Sequence, residues 1–286
     1  MQCAIFVFMI SFIKRNEYVQ YLLYKNTKSR AFFKLYGIVI NELKVCFSQF
    51  FTFRYPASSL FRSIGFFLQT LNRLLLGRST SLSYAFTAED RIIESLIKPI
   101  ITQKGFYVDI GCNEPVFISN TFLFYRRGWR GLCVDANEQL IKKFKRMRPR
   151  DTAVCALISD KTETTTFSYS ENPVLSSADA SSTEQFLKEG IKLKAQINVP
   201  SQTLTSLFTT YGVPREFDFL SIDIEGNDLK ALYGLDLNQY RPKLIVFEWE
   251  EFQLNAAQKE EIVEYLQKYN YTFVGYILTN AYFMIK

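Results

Sequence analysis

The stretch Phe106-Tyr-Val-Asp-Ile-Gly-Cys-Asn-Glu-Pro115 decides the fold that we expect for this chain. Its first half is a short apolar run of the kind that forms a buried parallel strand. The run ends around Asp109, and Gly111 and Asn113 follow in a turn. A carboxylate at the mouth of such a strand hydrogen-bonds an amine or a hydroxyl, and a glycine beyond it lets the backbone approach a ligand closely. The stretch therefore predicts a ligand-binding strand end.

A second strand, residues 131–135, also ends in an acid, Asp135. A carboxylate at that position is able to accept hydrogen bonds from both hydroxyls of a ribose. Strand, glycine turn, helix, strand and acid together indicate a nucleoside-binding α/β unit. A plain βαβ core without a ligand has the same pattern and stays open as an alternative.

Composition sets the bounds of the chain and excludes several kinds of site. Its 286 residues, 48% of them hydrophobic, suit one sizeable α/β domain plus an appendage. The five cysteines include no CxxC pair and no metal-ligand spacing, which favours reduced, buried thiols in a cytosolic protein at Cys112, Cys133 and Cys155. Histidine is absent, which excludes a Ser-His-Asp triad, a histidine-ligated zinc and a histidine general base.

The basic charge is concentrated in the first quarter of the chain. Residues 1–76 hold ten basic and two acidic residues, a net charge of +8, and the remainder has a net charge of −2. The apolar run at residues 3–13 is too short to span a bilayer, and positive charge follows it instead of preceding it as in a signal peptide. We therefore predict a mainly helical N-terminal extension, residues 1–80, before a catalytic domain, residues 81–286.

The extension interleaves aromatic residues with lysine and arginine. Such a segment is able to lie on an anionic membrane face, to pack on the main domain or to mediate oligomerisation, whereas nucleic-acid binding is disfavoured. We expect a cytoplasmic protein that is peripheral to the inner face of a membrane if the first alternative holds. The oligomeric state stays open.

The catalytic domain alternates strands and helices, which predicts a parallel sheet. We expect a Rossmann-like, doubly wound, mostly parallel seven-stranded sheet with a C-terminal antiparallel hairpin. Eleven serines and threonines between residues 161 and 183 predict a strand with a mobile loop. The other predicted strands and helices span residues 138–147, 152–158, 196–199, 203–211, 217–223, 243–247, 255–269, 271–278 and 281–285. Thr87 is the predicted N-cap of a helix before the first strand, and Arg148-Pro149 is predicted to end the helix at residues 138–147.

Acidic residues recur where the predicted parallel strands end, which is the edge where α/β sheets bind ligands. These residues are Asp109, Asp135, Asp160, Asp223 with Glu225, and Glu248, and the first three are candidates for binding a cofactor. Pro115 and Val116 stand where a dinucleotide fingerprint has further glycines. S-adenosylmethionine, a nucleoside without phosphates, therefore fits better than a nicotinamide dinucleotide. A nicotinamide-dependent oxidoreductase and a non-catalytic adaptor that docks through its basic extension remain the alternatives.

At this point the motifs resemble those of FkbM-type methyltransferases, a branch of the class I S-adenosylmethionine-dependent enzymes. The resemblance runs from about Glu89 to Lys286. It rests on Val108-Asp-Ile-Gly-Cys-Asn113, Ser119-Asn-Thr121, Gly128-Trp-Arg-Gly131, Val134-Asp135, Asp218-Phe-Leu-Ser-Ile-Asp-Ile-Glu-Gly226 and Arg241-Pro-Lys243. It implies O-methylation, commonly of sugar hydroxyls in glycans or glycosides.

The resemblance also assigns roles to residues. Asp109, Gly111 and Asn113 match the first cofactor motif, and Asp135 matches the ribose acid. The pair Asp223 and Glu225 matches the Asp-x-Glu-Gly block of the family. The pair Glu114-Pro115 replaces an acidic-glycine pair that is common after the first motif.

Methyl transfer to a hydroxyl is an in-line displacement that depends on alignment and on a base. Since the chain has no histidine, we expect the base to be Asp223 or Glu225, with Glu248 as the second choice. A divalent metal held by these acids, acidifying a sugar diol, is the alternative. We predict no dedicated metal site.

Overall fold

The computed structural model describes most of the predicted catalytic domain. The described residues are 82–98, 104–170, 183–184, 187–188, 190–224, 227–249 and 256–286, together with positions 61, 64–65 and 68–69. The chain divides into two compact units, Met1–Thr80 and Ser81–Lys286. The helices predicted for residues 1–80 and the mobile loop predicted up to residue 183 lie almost wholly outside the described residues.

The described elements follow the predicted alternation of strands and helices. The helices are α1 (Glu89–Ile97), α2 (Phe122–Arg126), α3 (Glu138–Met147), α4 (Leu204–Tyr211), α5 (Asp228–Tyr233) and α6 (Ala256–Lys268). The strands are β1 (Phe106–Ile110), β2 (Arg130–Asp135), β3 (Thr152–Cys155), β4 (Leu157–Ile158), β5 (Thr164–Ser170), β6 (Leu193–Gln202), β7 (Glu216–Ile222), β8 (Arg241–Glu248), β9 (Tyr271–Ile277) and β10 (Asn280–Ile285).

Seven strands form the main sheet in the order β3-β2-β1-β7-β8-β10-β9. Strands β3, β2, β1, β7 and β8 are parallel, and β10 runs antiparallel to both β8 and β9. The predicted mostly parallel, Rossmann-like sheet with a closing hairpin is thus confirmed. Because the winding reverses between β1 and β7, the crevice for a ligand opens at the carboxyl ends of these two strands.

The sheet is buried on both faces, as parallel sheets require. The side chains of Val108, Leu220 and Ile245 are almost fully buried in one core cluster. On β7, Phe219 packs against Phe124 of α2, with their ring centroids 4.8 Å apart. These neighbours explain why the central strands read as continuous apolar runs in the sequence.

Short polar signals fix the ends of two of the helices. The Thr203 hydroxyl accepts a hydrogen bond from the Ser206 N–H at 3.2 Å and caps α4, which Gly212 ends in a left-handed conformation. The Asn137 side chain caps α3 in the same way. The cap predicted for α1 is wrong, since the cap position is Ala88 and the Thr87 hydroxyl bonds the Glu89 carboxylate.

One predicted strand, residues 152–158, is divided in the structure. The chain leaves the main sheet after β3 at Ala156, whose N–H donates to the carbonyl oxygen of Asp135 at 3.0 Å. Strand β4 then pairs with β6 in a second sheet of order β4-β6-β5. The apolar run has no glycine or proline at the break, so its sequence contains no local signal for the change of sheet.

The burial predicted for three cysteines is confirmed for two of them. Cys112 and Cys133 are free and buried, as predicted, but Cys155 is free and exposed. Within the described part of the chain, no helix is long and apolar enough to cross a membrane.

Candidate active site

The glycine turn after β1 lies where three strands meet. Gly111 has a φ of +78°, and its N–H donates to the carbonyl oxygen of Val134 at 2.8 Å. A Cβ atom on Gly111 would lie 1.7 Å from the carbonyl oxygen of Asp223. The Asp223 N–H donates in turn to the carbonyl oxygen of Ile110 at 2.9 Å. Glycine is required here because the exit of β7 approaches so closely, a reason that the sequence did not reveal.

Asp135 presents a fixed carboxylate at the end of β2. Its Oδ1 accepts a hydrogen bond from the Asn137 N–H at 2.7 Å, and its Oδ2 accepts one from the Asn113 N–H at 3.1 Å. Burial raises the pKa of Asp135 to about 6, against the effect of these two bonds. A carboxylate has about four acceptor positions, so two remain for other donors.

Asn113 lies in the turn opposite Asp135 and has a left-handed φ of +49°. Its side-chain Oδ1 is buried and has no hydrogen-bond partner among the described residues. The neighbouring Glu114 carboxylate pairs with the Lys143 ammonium of α3. Glu114, the acid of the Glu114-Pro115 pair that replaces the acidic-glycine pair of the family, is therefore bound to a lysine of α3.

These groups fit S-adenosylmethionine. The carboxylate of Asp135 offers acceptor positions for ribose hydroxyls, and the unpaired Oδ1 of Asn113 offers another buried acceptor beside it. When bound, the cofactor supplies an electrophilic methyl group. The predicted cofactor roles of Asp135, Gly111 and Asn113 are compatible with this geometry and stay predictions.

Asp109 lies below the turn, in the interior. Only 4% of the residue is exposed, and its Oδ2 accepts a hydrogen bond from the Thr121 hydroxyl at 2.5 Å. Burial raises the pKa of Asp109 to about 6, while the Thr121 hydrogen bond and the Arg148 charge lower it. This hydrogen bond of the carboxylate is thus with the protein, and its role in holding the cofactor stays a prediction.

We expected Asp160 at the end of a strand of the main sheet, but it does not lie there. It follows β4, which belongs to the second sheet. Its side chain is exposed, and its Oδ1 accepts a hydrogen bond from the Ser159 hydroxyl at 3.0 Å. The position is a correction that follows from the break at Ala156, and the predicted cofactor contact stays a prediction.

Two of the three predicted catalytic acids lie at the ends of adjacent strands. Ile222 of β7 is paired with Phe247 of β8, so Asp223 and Glu248 follow at the same edge of the sheet. Asp223 is exposed and Glu248 is half-buried. Glu225 lies outside the described residues. The structure therefore brings Asp223 next to the glycine turn and places Glu248 on the neighbouring strand.

A buried polar cluster that was not predicted from the sequence lies beneath the candidate site. Arg148 and Asp151 form an ion pair at 2.8 Å in which neither side chain is exposed. The Tyr107 hydroxyl joins the pair, at 2.9 Å from the Asp151 carboxylate and 2.8 Å from Arg148 Nη2. Arg148 was interpreted only as part of the helix-stopping Arg148-Pro149 pair, and an arginine at the end of a basic helix gives no sign that it is buried.

The part of the chain that the structure describes contains no group of three His, Cys, Asp or Glu side chains able to hold a metal ion. Glu225 is outside that part, and a divalent metal held by the predicted catalytic acids stays a prediction.

Several solved structures resemble the chain. A TehB-like S-adenosylmethionine-dependent methyltransferase from Corynebacterium glutamicum matches at 13% identity and a TM-score of 0.37, over 77% of this chain and 96% of that chain. The precorrin-6y C5,15-methyltransferase from Geobacter metallireducens matches at 13% identity and a TM-score of 0.36, over 72% and 92%. The methyltransferase domain of METTL16 matches at 15% identity and a TM-score of 0.40, over 75% of each chain. At these TM-scores the likeness carries no argument about the site.

Comparison of the sequence with family models identifies the family of the chain. No curated protein matches the chain. The family model described as the methyltransferase FkbM domain matches residues 109–273, more than half of the chain, from the first candidate cofactor acid to the closing hairpin. The chain belongs to the FkbM methyltransferase family and is an S-adenosylmethionine-dependent methyltransferase.

Proposed function

We propose that this methyltransferase methylates a hydroxyl group of a sugar or glycan-type acceptor. The observation that carries the proposal is the position of Asp223, an exposed carboxylate whose backbone is fixed against the glycine turn after β1. An alcohol is a poor nucleophile and needs a base close to the methyl donor. Asp223 supplies an acceptor for that proton at the mouth of the crevice.

In this proposal, different residues hold the cofactor and accept the proton of the acceptor hydroxyl. Asp135 and the Gly111 turn hold and orient the nucleoside end of the cofactor, which fixes the direction of attack. Asp223 accepts the proton of the sugar hydroxyl. Glu225 is the alternative base from the same block, and Glu248 on the adjacent strand is the second choice. A divalent metal held by these acids remains the alternative route to an acidified diol.

The N-terminal extension is the part of the chain that we expect to localise the enzyme. We propose that residues 1–76 hold the enzyme against the anionic inner face of a membrane, beside lipid-linked glycans. The support is the net charge of +8 and the aromatic residues between the basic ones.

A conservative substitution at Asp223 tests the proposed chemistry. Asp223→Asn should keep the affinity for S-adenosylhomocysteine and lower methyl transfer to a glycan acceptor by roughly 100-fold or more, the usual contribution of a general base. Asp236→Asn is the matched control, because Asp236 is also exposed but precedes β8 at the opposite edge of the sheet. Transfer of a labelled methyl group to a panel of glycans measures both. Normal turnover by Asp223→Asn on the acceptor that the wild type uses would assign the base to another residue.

A further inference from the structure

Arg148 is a fully buried cation directly below the candidate cofactor site. Its guanidinium is 4.8 Å from the ring centroid of Phe144 and 5.2 Å from that of Tyr125. Removing such a cation from water is costly unless its donors are well satisfied. Asp151 forms an ion pair with its Nε at 2.8 Å, so the two terminal nitrogens are left to donate to other acceptors.

Those remaining donors divide between the sheet and the loop that follows the glycine turn. We call residues 112–121 the cofactor loop. Arg148 Nη1 donates to the carbonyl oxygen of Pro115 at 3.4 Å and to the Ser119 hydroxyl at 3.2 Å, both in this loop. Nη2 donates to the Thr121 hydroxyl at the end of the loop, at 3.0 Å, and to the Tyr107 hydroxyl of β1, at 2.8 Å. One side chain thus ties the loop to the central strand.

The conformation of the cofactor loop needs such support. Ile118 has a left-handed φ of +55°, which is unfavourable for a β-branched residue. Phe117 and Ile118 are 71% and 47% exposed, so burial of their side chains does not hold the loop in this shape. Besides the bonds from Arg148, the Ser119 N–H donates to the carbonyl oxygen of Tyr84 at 3.0 Å. The buried side chain of Val116 and these polar contacts, from below and from one side, together hold the loop.

We propose that Arg148 is a positioning residue for cofactor binding: it holds the cofactor loop so that Asn113 stays opposite Asp135. It acts through Pro115, Ser119 and Thr121 without touching the cofactor itself. The Thr121 hydroxyl, which accepts from Arg148, donates to Asp109 and extends the same support to the end of β1. This inference rests on the cofactor site and not on the glycan acceptor, so failure of the acceptor assignment leaves it intact.

Two substitutions in the same cluster separate positioning from plain stability. Arg148→Lys keeps the charge for Asp151, but a single ammonium lacks the planar fork that reaches both the loop and Tyr107. Tyr107→Phe removes a partner of Arg148 on the sheet side and leaves the loop contacts. Thermal unfolding and calorimetric titration with S-adenosylhomocysteine are measured for both variants and for the wild type.

We expect both variants to melt at lower temperature, but only Arg148→Lys to bind S-adenosylhomocysteine more weakly, by roughly tenfold or more. Wild-type affinity in a folded Arg148→Lys variant would overturn the proposal and leave Arg148 as a structural ion-pair partner. Equal losses of affinity in both variants would overturn it too, since the effect would then follow stability.

If Arg148→Lys does not fold, Ser119→Ala decides the question by removing one loop acceptor. Ser119 also accepts a hydrogen bond from the Phe122 N–H at the start of α2, at 3.2 Å. Thr203→Ala, which removes the cap of α4 only, is therefore its control. Weaker binding of S-adenosylhomocysteine by Ser119→Ala than by Thr203→Ala supports the proposal, and equal binding by the two overturns it.

Discussion

Asp109 and Asp135 are both acids near strand ends, but their surroundings differ. Burial raises the pKa of each to about 6, but their hydrogen-bond partners differ. Asp109 accepts from the Thr121 side chain in the interior, whereas Asp135 accepts from two backbone N–H groups at the crevice. The sequence placed both acids at strand ends, but it could not show that one of them faces inward.

The raised pKa of Asp135 predicts how binding of S-adenosylhomocysteine depends on pH. Ribose hydroxyls donate to an ionised carboxylate, so the complex favours the form that is populated above pH 6. Affinity should be level above about pH 7 and should fall as the pH drops through about 6, by up to tenfold per unit. Asp135→Asn should bind more weakly by about 1–3 kcal/mol at about pH 7.5 and show a flat profile.

Calorimetric titration between about pH 5 and 8 measures this dependence. Asp109→Asn serves as the control, because Asp109 titrates in the same range and lies in the interior. A pH dependence that persists in Asp135→Asn and vanishes in Asp109→Asn would assign the titration to Asp109 and contradict the ribose contact.

The elements of the main sheet were largely predictable, and their exceptions have physical causes. The parallel direction of the central strands follows from the alternation of strands and helices, and the ends of α4 follow from Thr203 and Gly212. The change of sheet at Ala156 was not predictable, since it depends on pairing with β6 some forty residues later. The burial of Arg148 was not predictable either, because its partners Tyr107 and Ser119 are distant in sequence.

The glycine turn after β1 gives a prediction about how the elements fit together. Gly111→Ala should destabilise the protein strongly, because the new Cβ would lie 1.7 Å from the carbonyl oxygen of Asp223, directly after β7. Gly212→Ala is the matched control: Gly212 also has a positive φ, of +63°, but its Cβ would meet nothing within 4 Å. The control isolates the cost of the left-handed backbone, about 1–2 kcal/mol.

Urea unfolding of the two variants measures the difference. We expect Gly111→Ala to lose at least about 2 kcal/mol more than Gly212→Ala, and to lose binding of S-adenosylhomocysteine as well. Equal losses of free energy of unfolding would show that β7 gives way at the turn and that the three strands are not held rigidly there.

At the scale of the whole molecule, charge separates the two parts of the chain. Residues 1–76 carry a net charge of +8 and the remainder a net charge of −2. If the extension lies on a membrane, each basic residue near an anionic surface contributes ~1 kcal/mol. The intact chain should then float with anionic vesicles, with binding that falls as salt is added.

Neutral vesicles and a variant without residues 1–76 are the controls for flotation, and neither should support binding. The competing interpretation is that the extension packs on the catalytic domain or on a second subunit. Failure of the intact chain to bind any vesicle, together with an insoluble deletion variant, would establish that interpretation instead.

The central claim is that the crevice at the carboxyl ends of β1 and β7 binds S-adenosylmethionine. Its most direct test is calorimetric titration of the intact chain with S-adenosylhomocysteine and, separately, with NAD. We expect saturable binding of one S-adenosylhomocysteine per chain and no binding of NAD, since Pro115 and Val116 stand where a dinucleotide site needs glycines. Binding of NAD without binding of S-adenosylhomocysteine would contradict it.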